Sequence, residues 1–445
     1  MRQSSPSMVL LGGVGEIGGN KFLVEDGDTR ILLDFGMSYA DRRRFYSEPM
    51  LAPRDERELL EFGMLPKVRG LYKFEESEPS IDAVFLSHSH GDHSACISFL
   101  NRKIPVHCGE TTSTIIRALY ETRAKSLEAD ISGLNFNAFR TGSKIKVGSV
   151  EVEPIHVDHS VPAAYGFLVH TSNGTLAYTG DLRAHGTKSE MTSDFIDRAR
   201  SAKPEVLLAE GTNLIGATPT TEAEVQSKIS SILRTSSKLV LAEFSNVDVD
   251  RFRTFYNAAK ENERTLAVSL RQAYILSRLA REGKIQIPDV ARDENVVVYQ
   301  RSKKRYFEWE KSILSFQNVV EASDIKNRQD RTVLVSSARD FKELVDIRPQ
   351  SGSCFILSIS EPFTEEQEFE FERFVNWLDH FGLPMYHVHC SGHIMPGELK
   401  SSLERIEPKV VYPIHTDHPE LYAKFVSQST RVVVPQKNVA YPIGS

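Results

Sequence analysis

Apolar and polar positions change rhythm three times along the chain. Residues 8–34 read as strand, glycine-rich turn, strand, tight turn and strand, because NKFLVEDGDTRILLD alternates apolar and polar around Asp26-Gly27-Asp28. Residues 38–80 lose the rhythm; charged and irregular, with three arginines at 42–44, they are expected to be an inserted excursion. IDAVFLSHSHGDHSACISFL restores it as a buried strand (Val84–Leu86), a polar loop and a helix, and IPVHCGETTSTIIRALYETRAK repeats strand then helix. From 143 to 182 the pattern is strand after strand, and EVLLAEGTN at 205–213 is another buried strand with a polar end.

The texture then shifts. TTEAEVQSKISSILR, DVDRFRTFYNAAKENE and QAYILSRLAREGK carry helical apolar spacing, and they alternate with the short apolar runs KLVLAEFS, RTLAVS, ENVVVYQ and CFILSIS. Strand and helix in alternation predict a parallel sheet, a second α/β unit. YHVHCSGH, the helix PGELKSSLERI and KVVYPIHTDH return to the histidine-rich style of the first part. A domain inserted within another explains that order, with expected boundaries of 1–212 and 389–445 for the first domain and 213–388 for the insert.

A chain of 445 residues exceeds one ordinary core, in keeping with two domains. No apolar run approaches the ~20 residues of a membrane span, and the first residues do not read as a signal peptide. The four cysteines (Cys96, Cys108, Cys354, Cys390) form no CxxC pair, which fits a reducing cytoplasm better than a disulfide framework. A net charge of −6 argues against a general nucleic-acid coat but leaves room for a local basic strip.

The chemistry sits in SHSHGDHS, residues 87–94, where His88, His90, Asp92 and His93 crowd one loop after a buried strand. His159, Asp181 and His415 stand at other strand ends, and strand ends share one rim of a sheet. Three histidines suit one zinc; an aspartate, two histidines and a bridging aspartate suit a second. GVGEIG, 13–18, mimics a dinucleotide-binding string, yet a hairpin follows where a helix should open, so a flexible loop is expected. His156, His387, His389 and His418 read as structural, Asp158 as a loop partner, and Cys108 and Cys390 as small core residues. RSKKRYFEWEK, 301–311, packs four cations into five residues beside Tyr306, Phe307 and Trp309: a solvated helix start, or a wall that stacks single-stranded RNA.

HxHxDH followed by a later His, an Asp in TGD and a final His resembles the metallo-β-lactamase superfamily. Within it the chain is similar to the β-CASP nucleases, the group of RNase J and the pre-mRNA 3′-end cleavage nuclease, in a short layout like that of archaeal members. Asp34 in ILLDFG, the 88–93 cluster, His159, Asp181, Glu210 in LLAEGTN, His393 in CSGH and His415 in PIH match its successive motifs. The resemblance implies an α/β protein, an αββα sandwich carrying an inserted β-CASP domain. It implies that His88, His90 and His159 hold one zinc, and that Asp92, His93 and His415 hold the other. Asp181 would bridge the two ions, and Asp34 would brace the ligand loop. Manganese or iron could replace zinc.

Asp92, Glu210 and His393 are the expected catalytic residues of an RNA phosphodiester hydrolase, exonuclease or endonuclease. Lactones, β-lactams, small esters and DNA are the alternative substrates. Ser358, Ser360, Arg271 and Arg339 are the expected substrate contacts. LSISEPF (357–363) keeps its serines but lacks the glycines with which RNase J cradles a 5′-phosphate. With 30 residues after His415, the chain is expected to lack the C-terminal domain of bacterial RNase J, and monomer and homodimer both stay open. The expected partner is single-stranded RNA, the expected place the cytoplasm, with no membrane.

Overall fold

Alternation around Gly27 produces the expected hairpin: Lys21–Asp26 pairs antiparallel with Thr29–Leu33, Phe22 opposite Leu33 and Asp26 opposite Thr29. A computed structural model describes residues 5–47, 50–124, 126–216, 218–359, 365–426 and 430–444, with 365–370 as backbone only. The chain forms two compact units, Met1–Ala217 with Gly392–Ser445, and Thr218–Ser391.

The first unit contains two seven-stranded sheets. One runs, in spatial order, Ala440–Pro442, Ser7–Gly12, Lys21–Asp26, Thr29–Leu33, Ala83–Phe85, Pro105–Gly109 and Asn135–Phe139. The other runs Arg431–Val432, Val410–Ile414, Val206–Glu210, Gly174–Tyr178, Ala164–Thr171, Val150–Val157 and Ile145–Val147. Period-two alternation gives each sheet two apolar faces. Inner faces meet in one core of Leu10, Phe22, Ile31 and Phe85 against Val152, Phe167, Tyr178 and Leu208. The outer face of the first sheet packs on Ile97, Phe99 and Ile116. That of the second packs on Phe195 and Ile196 from helix Ser189–Ala202 and on Leu399 and Leu403 from helix Pro396–Ile406. The result is a four-layered α/β/β/α sandwich, each buried Leu or Phe contributing about 1.5–3 kcal/mol.

The 38–80 stretch departs from expectation. It contains helices Tyr39–Phe45 and Glu56–Glu61, and it buries Leu59, Met64, Leu65, Leu71 and Tyr72 in the outer core. Arg42 pairs with the buried Glu128, so even the arginine run is partly structural.

The second unit is built on a parallel sheet in the order Val319–Val320, Val296–Tyr299, Thr265–Ser269, Thr332–Val335, Val240–Glu243, Cys354–Leu357 and Met385–His387. Three of its helices are capped by side chains: Thr221 closes a capping box with Glu224, and Asp248 and Ser269 accept from the third residues of their helices. Among the described residues, no helix is long and apolar enough to cross a membrane.

Candidate metal centre

Strand Ala83–Phe85 delivers the chain to Ser87, His88 and His90, and a short helix, Gly91–Ser94, turns Asp92 and His93 back over them. Phe35 N–H donates to His93 O at 2.8 Å and Asn20 N–H to Asp92 O at 3.0 Å, fixing this loop on both sides. Two glycines permit the approach. A Cβ on Gly36 would stand 1.7 Å from Asp92 O, and one on Gly18 would meet the Asp92 side chain at 2.7 Å. The GVGEIG stretch is therefore not the flexible loop expected; its end is packed against the site, and Gly13 O accepts from His415 N–H at 3.0 Å.

Asp34 is the hub beneath the loop. It is fully buried with φ +58°, a left-handed backbone that aims its carboxylate at Ser87. Ser87 N–H donates at 2.7 Å, Ser87 Oγ at 2.7 Å and Tyr178 Oη at 2.5 Å, and His93 Nδ1 lies 2.8 Å away.

The second sheet supplies the remaining groups. His159 follows strand Val150–Val157, Asp181 follows Gly174–Tyr178, Glu210 ends Val206–Glu210, and His415 follows Val410–Ile414 with φ +51°. His90 Nδ1 lies 3.0 Å from His88 Nε2 and 3.1 Å from His159 Nε2. His415 Nε2 is 3.0 Å from Asp92 Oδ2, and His93 Nε2 is 3.6 Å from the same oxygen.

Between these groups stands Asp181 Oδ2, at 3.0 Å from His93 Nε2, 3.6 Å from both His88 and His415 Nε2, and 3.9 Å from His159 Nε2. None of these contacts has hydrogen-bond geometry, and this buried oxygen has no hydrogen-bond partner. A buried carboxylate oxygen that faces several imidazole nitrogens and is hydrogen-bonded to none of them fits a shared cation. The spacings bracket the roughly 3.3 Å separating ligand atoms around a tetrahedral zinc. Two groupings result, His88, His90, His159 and Asp181 beside Asp92, His93, Asp181 and His415, with Asp181 common to both.

Electrostatics agree with that reading. Burial holds His88 and His159 well below the ordinary imidazole range and His90 at about 4, so all three present the neutral, ligating form at pH 7. Burial also disfavours charge on His93, but the carboxylates of Asp181, Asp92 and Asp34 outweigh it and hold that pKa well above the ordinary value. Burial would raise the carboxyls of Asp92 and Asp181. His93 and His415 instead pull Asp92 down, and His415, His93 and His393 pull Asp181 down. The pocket is short of positive charge.

The outward ring nitrogens are held as ligating histidines require. His159 Nδ1–H donates to Gly392 O at 2.6 Å, which leaves Nε2 free as a ligand. His88 Nδ1 meets Ser87 Oγ at 3.0 Å, and His415 Nδ1 meets Thr212 Oγ1 at 2.8 Å.

His393 stands at the edge, Nδ1 3.0 Å from Glu210 Oε2 and 3.9 Å from Asp181 Oδ2. Burial works against its proton, but Glu210 and Asp181 push its pKa up to about 9. Glu210 also accepts from Leu182 N–H at 2.9 Å and Thr212 Oγ1 at 2.8 Å. Glu210, His393 and His415 form a third grouping within ligand reach.

Ser87, Tyr178, Thr212 and Asn20 are not singled out by the sequence; only the position of Ser87 before the first histidine offers a signal. Of the expected substrate contacts, Ser358, Arg271 and Arg339 lie in the second unit, and Ser360 is outside the described residues. Ser358 is buried, donating to Val388 O at 2.5 Å and accepting from Arg251, so its hydroxyl is structurally engaged. His156 stacks on Tyr165 and contacts Thr141, and Asp158 accepts from Arg183 at 3.2 Å. All four cysteines are buried and unpaired.

A family model described as a Beta-lactamase superfamily domain matches residues 64–214. Ribonuclease J of Mycoplasma genitalium is 24% identical over 91% of this chain and 66% of its own length. Ribonuclease J2 of Bacillus subtilis is 24% identical over 92% and 69%, and Ribonuclease J of Sinorhizobium meliloti 25% over 96% and 72%. The chain thus spans about two thirds of the length of these relatives. A crystal structure of a protein of unknown function from Enterococcus faecalis V583 shares the fold, with a TM-score of 0.79, 22% identity, and coverage of 99% of this chain and 100% of that one.

Proposed function

The chain belongs to the metallo-β-lactamase superfamily, in its RNase J-like β-CASP branch, and from that premise we propose that it is a metal-dependent ribonuclease. Its reaction is hydrolysis of RNA phosphodiester bonds. The observation that carries this reading is Asp181 Oδ2, buried without a hydrogen bond among the nitrogens of His88, His93, His159 and His415.

His88, His90 and His159 would hold one divalent ion, Asp92, His93 and His415 a second, with Asp181 between them. Zinc suits that donor set best, and manganese or iron are the alternatives. A pair of such ions supplies an activated water at neutral pH and neutralises charge on the phosphate oxygens. The chain's own residues do the rest. Asp34 fixes His93 through Nδ1 and Ser87 through two hydrogen bonds, so the loop is arranged before substrate arrives. Thr212 does the same for His415. His393, kept protonated by Glu210, donates a proton to the departing ribose oxygen or stabilises charge on the phosphate.

The test is incubation of the zinc-loaded chain with 3′-labelled single-stranded RNA bearing a 5′-monophosphate, 5′-triphosphate or 5′-hydroxyl, in parallel with Asp92→Ala. Cleavage by the parent and none by Asp92→Ala is expected. A mononucleotide ladder favouring 5′-monophosphate assigns a 5′→3′ exonuclease, and internal fragments indifferent to the 5′ group assign an endonuclease. A parent chain that cuts RNA no faster than Asp92→Ala would overturn the reading.

A further inference from the structure

We propose that the segment Arg301–Phe307 is a docking platform for single-stranded RNA, in which Phe307 stacks a base and Lys304 and Arg305 hold adjoining phosphates. The choice of RNA as the strand rests on the ribonuclease reading; the platform itself rests on its own geometry. The segment leaves the carboxyl end of strand Val296–Tyr299 in the parallel sheet of the second unit, where open α/β sheets receive their ligands.

This is a fixed surface. Arg301 Nη1 pairs with Asp340 Oδ1 at 2.6 Å, and Ser302 N–H donates to Glu343 Oε2 at 3.3 Å. Tyr306 Oη donates to Arg301 O at 3.0 Å and accepts from Gln300 Nε2 at 2.9 Å. Phe307 N–H donates to Glu310 Oε2 at 2.7 Å, opening helix Glu308–Leu314. Lys303 pairs with Glu310 and sits 5.2 Å from the ring centres of both Tyr306 and Phe307.

Tyr306 and Trp309 pack on the core, whereas Phe307 keeps 62% of its surface in water. Lys304 and Arg305 are exposed and have no carboxylate partner among the described residues. Free cations flanking an exposed phenyl ring, in a chain of net charge −6, are complementary to a polyanion with accessible base faces. A single strand offers both; a duplex buries its base faces and leaves the ring without a partner.

The test measures anisotropy of a labelled uridine 12-mer on the full chain, with Asp92→Ala as background so that the probe survives. Phe307→Ala is expected to weaken binding about 5- to 150-fold, Phe307→Trp to retain it, and neither to change binding of inorganic polyphosphate, which has no bases. Lys304→Ala with Arg305→Ala is expected to weaken both ligands and to lower the salt slope for RNA by about 1.4. Unchanged RNA affinity in Phe307→Ala, or equal loss for RNA and polyphosphate, would overturn the platform. Hydrolysis of bis(p-nitrophenyl) phosphate by the metal-loaded chain, with Asp92 restored, separates the two proposals. If Phe307→Ala turns that ester over at the parent rate yet binds RNA like the parent, the platform alone fails. If the parent cannot hydrolyse it while RNA binding depends on Phe307, the ribonuclease reading fails and the platform stands.

Discussion

The carboxyl ends of strands in the two units use charge in opposite ways. In the first unit, the strands ending before Asp181, at Glu210 and before His415 deliver groups that are almost completely buried. Glu210 is held by Leu182 N–H and His415 by Thr212, whereas Asp181 keeps one oxygen without a hydrogen bond. In the second unit, the strand ending at Tyr299 delivers Lys304, Arg305 and Phe307 to solvent. Burial amplifies every electrostatic interaction and demands that each group have a partner, which suits chemistry at a fixed point. Exposure keeps cations hydrated and exchangeable, which suits reversible contact with a ligand.

Substitutions at the two edges should therefore behave differently. Among substitutions that spare the proposed metal ligands, the largest effect is expected from His393→Ala, which should lower kcat by about 10²- to 10⁴-fold while metal content, read by mass spectrometry, stays at the parent level. Asp34→Asn should follow, with a roughly 10- to 100-fold loss of metal affinity in a chelator competition. Tyr178→Phe removes one of the four contacts to Asp34 and should show the same loss in weaker form.

The smallest effect concerns Glu243, at the carboxyl end of its strand in the second unit, where burial and then Asp340 push its pKa up to about 7. A raised folded-state value means that its contribution to stability is complete below the ordinary carboxyl pKa of roughly 4.3 and is lost as pH rises through about 7. Glu243→Gln should therefore be more stable than the parent at pH 8, by something on the order of 2 kcal/mol, and melt at a higher temperature. At pH 4 the two should melt together. An equal gain at both pH values would show that packing, not charge, sets the difference.

Much of this arrangement is legible in the sequence because it is periodic or crowded. Alternation marks the hairpin around Gly27, and a buried strand that runs straight into His88, His90, Asp92 and His93 points to a metal by its residue types alone. The supporting groups are not legible, because they converge from afar. Tyr178 reaches Asp34 across 144 positions, and Thr212 reaches His415 across 203. Neither lies in a pattern that a local reading detects. Segment 38–80 misleads for a different reason: its arginines and acidic residues mask apolar residues that are too sparse for a clear period, yet Leu59, Met64 and Tyr72 are fully buried. The stretch 13–18 reads as flexible because the packing of Gly18 against Asp92 is a tertiary fact.

The metal centre stands or falls on Asp181 being shared between two cation positions. Calorimetric titration of the chelator-stripped chain with Zn²⁺ tests this most directly, in parallel with Asp181→Asn. Two ions per parent chain are expected, and at most one tightly held ion in Asp181→Asn, both proteins giving the same far-ultraviolet circular dichroism. Two ions bound with parent affinity by Asp181→Asn, or fewer than two by the parent, would contradict it.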